Sequence, residues 1–422
     1  MANERTTPTD GLEGRAGRRD LPPAVPCQVC GAETRSGLDL GHQPVGDLVL
    51  DRAQLALPET YYPMQLHHCD ACGLTQLGFI VDPEIVYQDF PFVSGTTQTA
   101  TEHLQSLPRR LVDMLGLDDG SFAVDIGSND GTLLKGWVPS GVRFLGVDPS
   151  GDPVRIANEQ GLTTWHAFFD EDTAAKIVEE FGHADAITAC GCFAHIAALD
   201  SIMKGIAALL APEGVFASDN QYWLDMVERL HYDNVFHQHL RYYSLRPLAH
   251  LFDRFGLEIF DVERSDTYGG QIRVYGCHKG AHPVHDRVRE LEKSEDKARL
   301  YAPETQELFA RQVQRKRSKL FDAVHALKKS GKKVIGIGAP AKASTVCTYC
   351  HLSPELIDYV TEVNPLRIGT YLPGAHIPIV DEETMFLDPE PADAGVLFAW
   401  NYREEIVPKL RERGWQGEII LP

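Results

Sequence analysis

The chain has 422 residues, 43% of them hydrophobic, and its 40 lysines and arginines stand against 60 aspartates and glutamates, a net charge of −20. That length allows two or three domains around a large buried core, and the composition is that of a globular protein. So acidic a chain is not expected to bind nucleic acid or an anionic membrane surface, and no apolar run approaches the ~20 residues of a membrane helix.

Residues 1–22 lack the apolar core of a signal peptide and read as a disordered polar tail. A cytoplasmic location is therefore expected, with the nine cysteines as reduced thiols or metal ligands rather than disulfides. Two knuckles follow, Cys27-Gln28-Val29-Cys30-Gly31 and Cys69-Asp70-Ala71-Cys72-Gly73. In each, both thiolates face one point and the glycine lets the backbone curl behind a metal. Together they supply Cys27, Cys30, Cys69 and Cys72 to a closed, structural zinc site in a module spanning residues 23–82. The stretch between them has room for strands at Gly46–Leu50 and Tyr62–His68. A third pair, Cys347 and Cys350, lacks the glycine and reads as packing at the start of a helix.

Residues 83–104 carry Phe90 and Phe92 before Ser94, Gly95, Thr96 and Thr97. The hydroxyls suit helix caps, or a lid offering Phe92, Ser94 and Thr96 to a polar ligand. A strand at Phe122–Ile126, a turn from Gly127 to Gly131, a helix, and a strand at Arg143–Val147 ending in Asp148 form a β-α-β unit. The turn reads Gly-x-x-x-Gly with Asp125 before it and Asp130 inside it. Those carboxylates would repel a pyrophosphate but suit a cationic ligand such as S-adenosylmethionine, with Asp148 on the ribose hydroxyls. Alternation continues through a strand at Ala184–Ala189, His195 at a strand-to-helix crossing, helix 199–211 and a strand at Gly214–Ser218. The chain then enters Asp219–Tyr243, where His231, His237, His239 and Gln238 lie among aromatics over the carboxyl edge of the sheet. An antiparallel pair joined through Tyr268, Gly269 and Gly270 closes a domain of residues 83–285. Residues 286–330 read as two linking helices interrupted at Pro303, with solvated charged faces. A second α/β unit, 331–422, opens with a Gly-x-Gly turn and Lys342, which could hold phosphate.

These motifs in combination resemble one family, the C-methyltransferases that act on nucleotide-linked 4-keto-deoxysugars. The resemblance rests on the four-cysteine module, VDIGSNDGTLL at 124–134, FAHI at 193–196, YWLDM at 222–226, HQHLRYYSL at 237–245, GGQIRV at 269–274, GIGAPAKAST at 336–345, PGAHIPI at 373–379 and AWNYREEI at 399–406. It implies an α/β protein: a small zinc-binding N-terminal module, a Rossmann-like class I S-adenosylmethionine domain and a C-terminal Rossmann-like domain. A thymidine-diphosphate sugar would lie between the last two. It also implies that His239 is the catalytic histidine, the last of a Tyr-His-Glu-His pattern, and that His195 is a second active-site histidine.

The sequence departs from that pattern at Phe236 and Gln238, at Phe90 and Phe92 where tyrosines are common, and at Tyr268 where histidine is usual. The chemistry read from the residues is removal of a proton beside a ketone, with donors on the enolate oxygen and a methyl sulfonium opposite. His239 is expected as base, with His195 and Gln238 assisting at the oxygen. Asp125, Gly127, Asp130, Gly131 and Asp148 are expected at the cofactor. Ser94, Thr96, Phe92, Phe236, Arg273 and Lys342 are expected at the substrate, the last two on its diphosphate. A monomer is expected. Ketone reduction, epimerisation or simple nucleotide-sugar binding on the same scaffold stay open as alternatives.

Overall fold

The structure is a computed structural model and describes residues 25–87 and 94–422. It is built on three sheets. The first carries β1 (Arg35–Gln43), β2 (Tyr62–His68) and β3 (Thr75–Leu77), all antiparallel. In β2 every second side chain, Met64, Leu66 and His68, points inward, the period-two pattern of a half-buried strand. The turn from β2 to β3 is the second cysteine knuckle. The expected strand at Gly46–Leu50 is a loop whose one ladder contact pairs Leu50 with Tyr371. Gly46 sits where a Cβ would lie 2.3 Å from the Ala341 carbonyl, so this loop is wedged against the C-terminal half and cannot join the sheet.

After α1 (Pro83–Tyr87) and α2 (Gln98–Leu115) comes the second sheet. It uses β4 (Phe122–Ile126), β5 (Arg143–Asp148), α3 (Gly151–Glu159), β6 (Thr164–His166), α4 (Glu171–Phe181), β7 (Ala184–Cys190), α5 (Leu199–Leu209) and β8 (Leu210–Gln221). Then follow α6 (Trp223–Arg229), β9 (Arg241–Tyr242), α7 (Leu245–Arg254), β10 (Leu257–Ser265) and β11 (Gln271–His278). The strand order is β10-β11-β8-β7-β4-β5-β6, parallel from β8 to β6, with β11 antiparallel to both neighbours. The order reverses between β4 and β7, so the crevice beyond their carboxyl ends is where an open α/β sheet takes a ligand. The helix expected after the glycine turn is instead two 3-10 turns, Leu134–Gly136 and Val138–Ser140. Pro139 offers no amide, and Gly136 rests on α2, where a Cβ would meet the Gln105 carbonyl at 2.9 Å.

β9 does not join this second sheet. It pairs with β3, Thr75 against Tyr242 and Gln76 against Arg241, and becomes the fourth strand of the zinc-module sheet.

α8 (Asp286–Lys297) and α9 (Pro303–Lys329) span the expected linking segment, with Pro303 opening the second helix, a position that needs no amide donor. The third sheet holds β12 (Val334–Ile337), β13 (Val360–Glu362), β14 (Ile379–Asp381), β15 (Ala394–Leu397) and β16 (Glu418–Ile420). Around them lie α10 (Ala341–Tyr349), α11 (Thr384–Leu387) and α12 (Arg403–Glu412). The sheet is parallel throughout in the order β14-β13-β12-β15-β16. Cys347 and Cys350 are buried as expected, at the end of α10 rather than at its start.

Candidate active site

The two cysteine knuckles close on one point. The Sγ atoms of Cys27 and Cys72 are 3.5 Å apart and those of Cys30 and Cys69 are 3.4 Å apart, with all four inside 4.8 Å of one another. Four sulfurs about 2.3 Å from a tetrahedral zinc stand about 3.8 Å apart, so the set fits the ion. Gly31 and Gly73 adopt φ of 75° and 83°, and their amides return to the Cys27 and Cys69 carbonyls at 2.9 and 2.8 Å. A residue with a Cβ makes that turn only with strain. Four thiolates leave no open position for water or substrate.

At the switch point of the second sheet, Asp125, the last residue but one of β4, accepts the Thr188 hydroxyl at 2.6 Å. Burial, with Asp148 nearby, pushes its carboxyl up to about 7, an acid that a bound cation would ionise. Gly127 (φ 71°) leaves no room for a side chain, since a Cβ would lie 2.7 Å from that of Cys192. Gly131 (φ 76°) is limited in the same way by Leu162, 2.6 Å from its would-be Cβ. The two carboxylate oxygens of Asp148 accept the amides of Ser150 (2.8 Å) and Asn129 (3.0 Å), tying the tip of β5 to the glycine turn. Asp130 braces its own turn by accepting the Thr132 hydroxyl at 2.7 Å and the Gly95 amide at 3.3 Å. The Ser94 amide donates to Asn129 Oδ1 at 2.9 Å, so Ser94 is docked directly on the turn. Phe92 and the side chain of Thr96 lie outside the described residues. Phe168, just past β6, is 68% exposed, and the neighbouring Ala167 amide donates to the Asp148 carbonyl at 3.0 Å.

The segment after β8 crosses this edge. α6 ends at Leu230 in a left-handed conformation, and a 3-10 turn at Tyr232–Asn234 leads to Phe236. His239 Nδ1 lies 3.1 Å from the Asn234 carbonyl. A carbonyl can only accept, so Nδ1 carries the proton and Nε2 keeps its lone pair. The ring centroid is 4.0 Å from that of Phe236 and 4.8 Å from that of His195. Burial, then the neighbouring His195, hold His239 well below the usual histidine range, and burial takes His195 down to about 4. Both rings are neutral at neutral pH.

Three expectations are corrected here. Gln238 is 1% exposed, and its amide nitrogen donates to Asp47 Oδ2 at 3.0 Å instead of facing the crevice. Arg273 is not free for a diphosphate: its Nε and Nη2 hold Asp219 at 2.9 and 2.8 Å, because β11 lies directly beside the end of β8. The same carboxylate takes His103 Nε2 at 2.8 Å, another partner the sequence did not reveal. Lys342 is likewise engaged. Its ammonium lies 4.0 Å from the Trp400 ring centroid and 3.4 Å from Asp233, and it bonds Asn401. Burial brings it down to about 8. Trp400 Nε1 also donates to Asp233, and its ring lies 4.2 Å from that of His231, so Lys342 closes the contact between the histidine segment and the third sheet. Tyr268 takes a left-handed φ of 54° and sets its ring edge-on to those of His103 and Tyr402.

A sheet of this order, an acidic glycine turn at its switch point and a closed four-thiolate module define a class I S-adenosylmethionine-dependent methyltransferase bearing a zinc-binding module. Family models match in the same order: a zinc binding domain over residues 27–87, a methyltransferase domain over 100–262 and a C-methyltransferase C-terminal domain over 266–422. The C-methyltransferase NovU of Streptomyces niveus is 31% identical over 410 residues, covering 95% of this chain and 96% of that protein. The chain belongs to this family of C-methyltransferases. Among solved structures, the 1,6-didemethyltoxoflavin-N1-methyltransferase of Burkholderia thailandensis shares 17% identity, covering 50% of this chain and 97% of its own, with a TM-score of 0.34. The magnesium protoporphyrin IX methyltransferase of Synechocystis shares 13% identity, with 43% and 84% covered and a TM-score of 0.34.

Proposed function

We propose that the enzyme methylates carbon in a dTDP-linked 4-keto-deoxysugar through an enolate, as a step of deoxysugar assembly, with His239 as the base. The observation that carries this reading is the Asn234 carbonyl on His239 Nδ1, which fixes the tautomer and leaves a neutral Nε2 as acceptor on a ring 4.8 Å from that of His195. Nε2 takes the proton from the carbon next to the ketone, and the electron pair moves to the ketone oxygen. His195, neutral as well, offers an N–H to that oxygen. Phe236 closes the apolar side of the base. Ser94 stands over the cofactor turn at the substrate edge, where Phe92 and Thr96 are expected to join it. Bound S-adenosylmethionine supplies the methyl carbon to the nucleophilic sugar carbon as its carbon–sulfur bond breaks. The chain's part is to hold it: Gly127 and Gly131 open the turn, Asp125 and Asp130 supply negative charge, Asp148 takes the ribose hydroxyls and Phe168 offers a face to adenine.

The test is incubation with S-adenosylmethionine and a dTDP-4-keto-6-deoxysugar in deuterated water, followed by mass spectrometry. A gain of one methyl group is expected, and His239→Ala should lower the rate by about 100- to 10,000-fold. Full methylation by that variant removes His239 as base. Solvent deuterium without methyl gain makes the protein an epimerase, and consumption of NADPH makes it a reductase.

A further inference from the structure

We infer that Gln238 is a positioning residue, one of three buried side chains through which the zinc module and the C-terminal sheet fix the neighbouring His239. This rests on the reading of His239 as the base. Gln238 Nε2 donates to Asp47 Oδ2 at 3.0 Å, and Arg367 Nη2 bonds the other oxygen, Oδ1. Arg367 Nη1 continues to the Ala339 carbonyl at 2.9 Å, at the foot of α10. Asp47, Gln238 and Arg367 are 8%, 1% and 6% exposed. One carboxylate thus bonds one guanidinium and one amide out of water, where removing any member strands the others.

The neighbours of Gln238 are held by the same parts of the molecule. His237 is buried with its ring edge-on to Tyr62 of β2, centroids 5.9 Å apart. The Leu77 amide of β3 donates to the Leu240 carbonyl at 2.9 Å, and the Leu240 amide donates to the Ala194 carbonyl at 3.1 Å. His239 is therefore pinned on both sides, and the second pin falls on the residue before His195. The separation of the two imidazoles follows from these anchors.

The pairing also explains why position 238 carries an amide here. A glutamate would set a second carboxylate at about the present donor distance of 3.0 Å from Asp47 Oδ2, with the single arginine on the opposite oxygen, Oδ1. Exchanging the pair, Asp47→Asn with Gln238→Glu, restores one carboxylate, one amide and one guanidinium.

The test compares Gln238→Glu, Asp47→Asn and the double variant in the full-length, zinc-loaded protein. Amide hydrogen exchange over residues 236–242 and S-adenosylmethionine affinity need no sugar substrate, and kcat and KM for methylation are measured beside them. Each single variant should speed exchange in that segment and lower kcat by about 10- to 100-fold, with cofactor affinity retained. The double variant should recover protection and most of kcat. Unchanged exchange and kcat in Gln238→Glu, or a double variant no better than that single one, overturns the inference. His239→Ala decides the base independently. If that variant stays active, the exchange measurement still decides the positioning.

Discussion

At the scale of single residues, His195 and His239 are set by desolvation more than by charge. His239 is depressed well below the usual 6.5, first by burial and then by His195. A base works only when unprotonated, so lowering its pKa moves the acid limb of the rate profile to lower pH. Methylation kcat/KM should therefore stay level as pH falls past 6.5, and drop only further on the acid side. A pH–rate profile checks this, and an acid limb at 6.5 or above would place the base in a wetter environment than the one seen. The same scale shows what sequence can and cannot reveal. The cysteine ligands were legible because each pair lies within one tight turn and the glycine behind it has a local cause. The engagements of Gln238, Arg273 and Lys342 were not. Their partners Asp47, Asp219 and Asp233 face them only after the sheets assemble, and no spacing in the chain signals them.

At the scale of elements, β4, β5, β7 and β8 were legible from short apolar runs, and Asp148 from its place at the end of one, whereas β6, three residues with only Thr164 buried, was not. β9 was hidden because two residues have no periodicity and their pairing partner lies in another module. α8 was legible as a helix but not in its role. Its charges read as solvated, yet Glu295 is buried. It accepts the Tyr222 hydroxyl at 2.9 Å and the Leu245 amide at 2.8 Å, and it also bonds the Tyr301 hydroxyl. Ser244 does not cap α7 with its own side chain, so Glu295 serves as the cap from outside and fixes the entry to α6 as well. Glu295→Ala leaves a hydroxyl and an amide buried without acceptors and should cost about 3 kcal/mol. Glu295→Gln keeps one acceptor and should cost less. Denaturant unfolding of both variants reads the difference, and equal stability of Glu295→Ala and the native chain would contradict the cap.

At the scale of the whole molecule, the zinc module holds the strand that follows His239. A four-thiolate site offers no position for substrate, so the metal acts through folding. It closes the turn that joins β2 to β3, and β3 carries β9, the strand that begins two residues after His239. The cofactor edge is built from β4, β5 and their turns, which belong to a different sheet. Removing zinc should therefore separate two properties. Methylation should be lost as β3 loosens and releases the His239 segment, while S-adenosylmethionine affinity, which we propose rests on Asp125, Asp148 and the glycine turn, should persist longest. The check is stepwise chelation with metal analysis, calorimetric titration of the cofactor and thermal unfolding on the same samples. One zinc per chain at the start, an early-melting transition in the stripped protein and loss of turnover ahead of cofactor binding are the expected results. Stripped protein that keeps its full rate and its unfolding profile would mean that β9 holds its place without the metal. Cofactor binding that disappears in step with turnover would mean that the two sheets unfold as one unit.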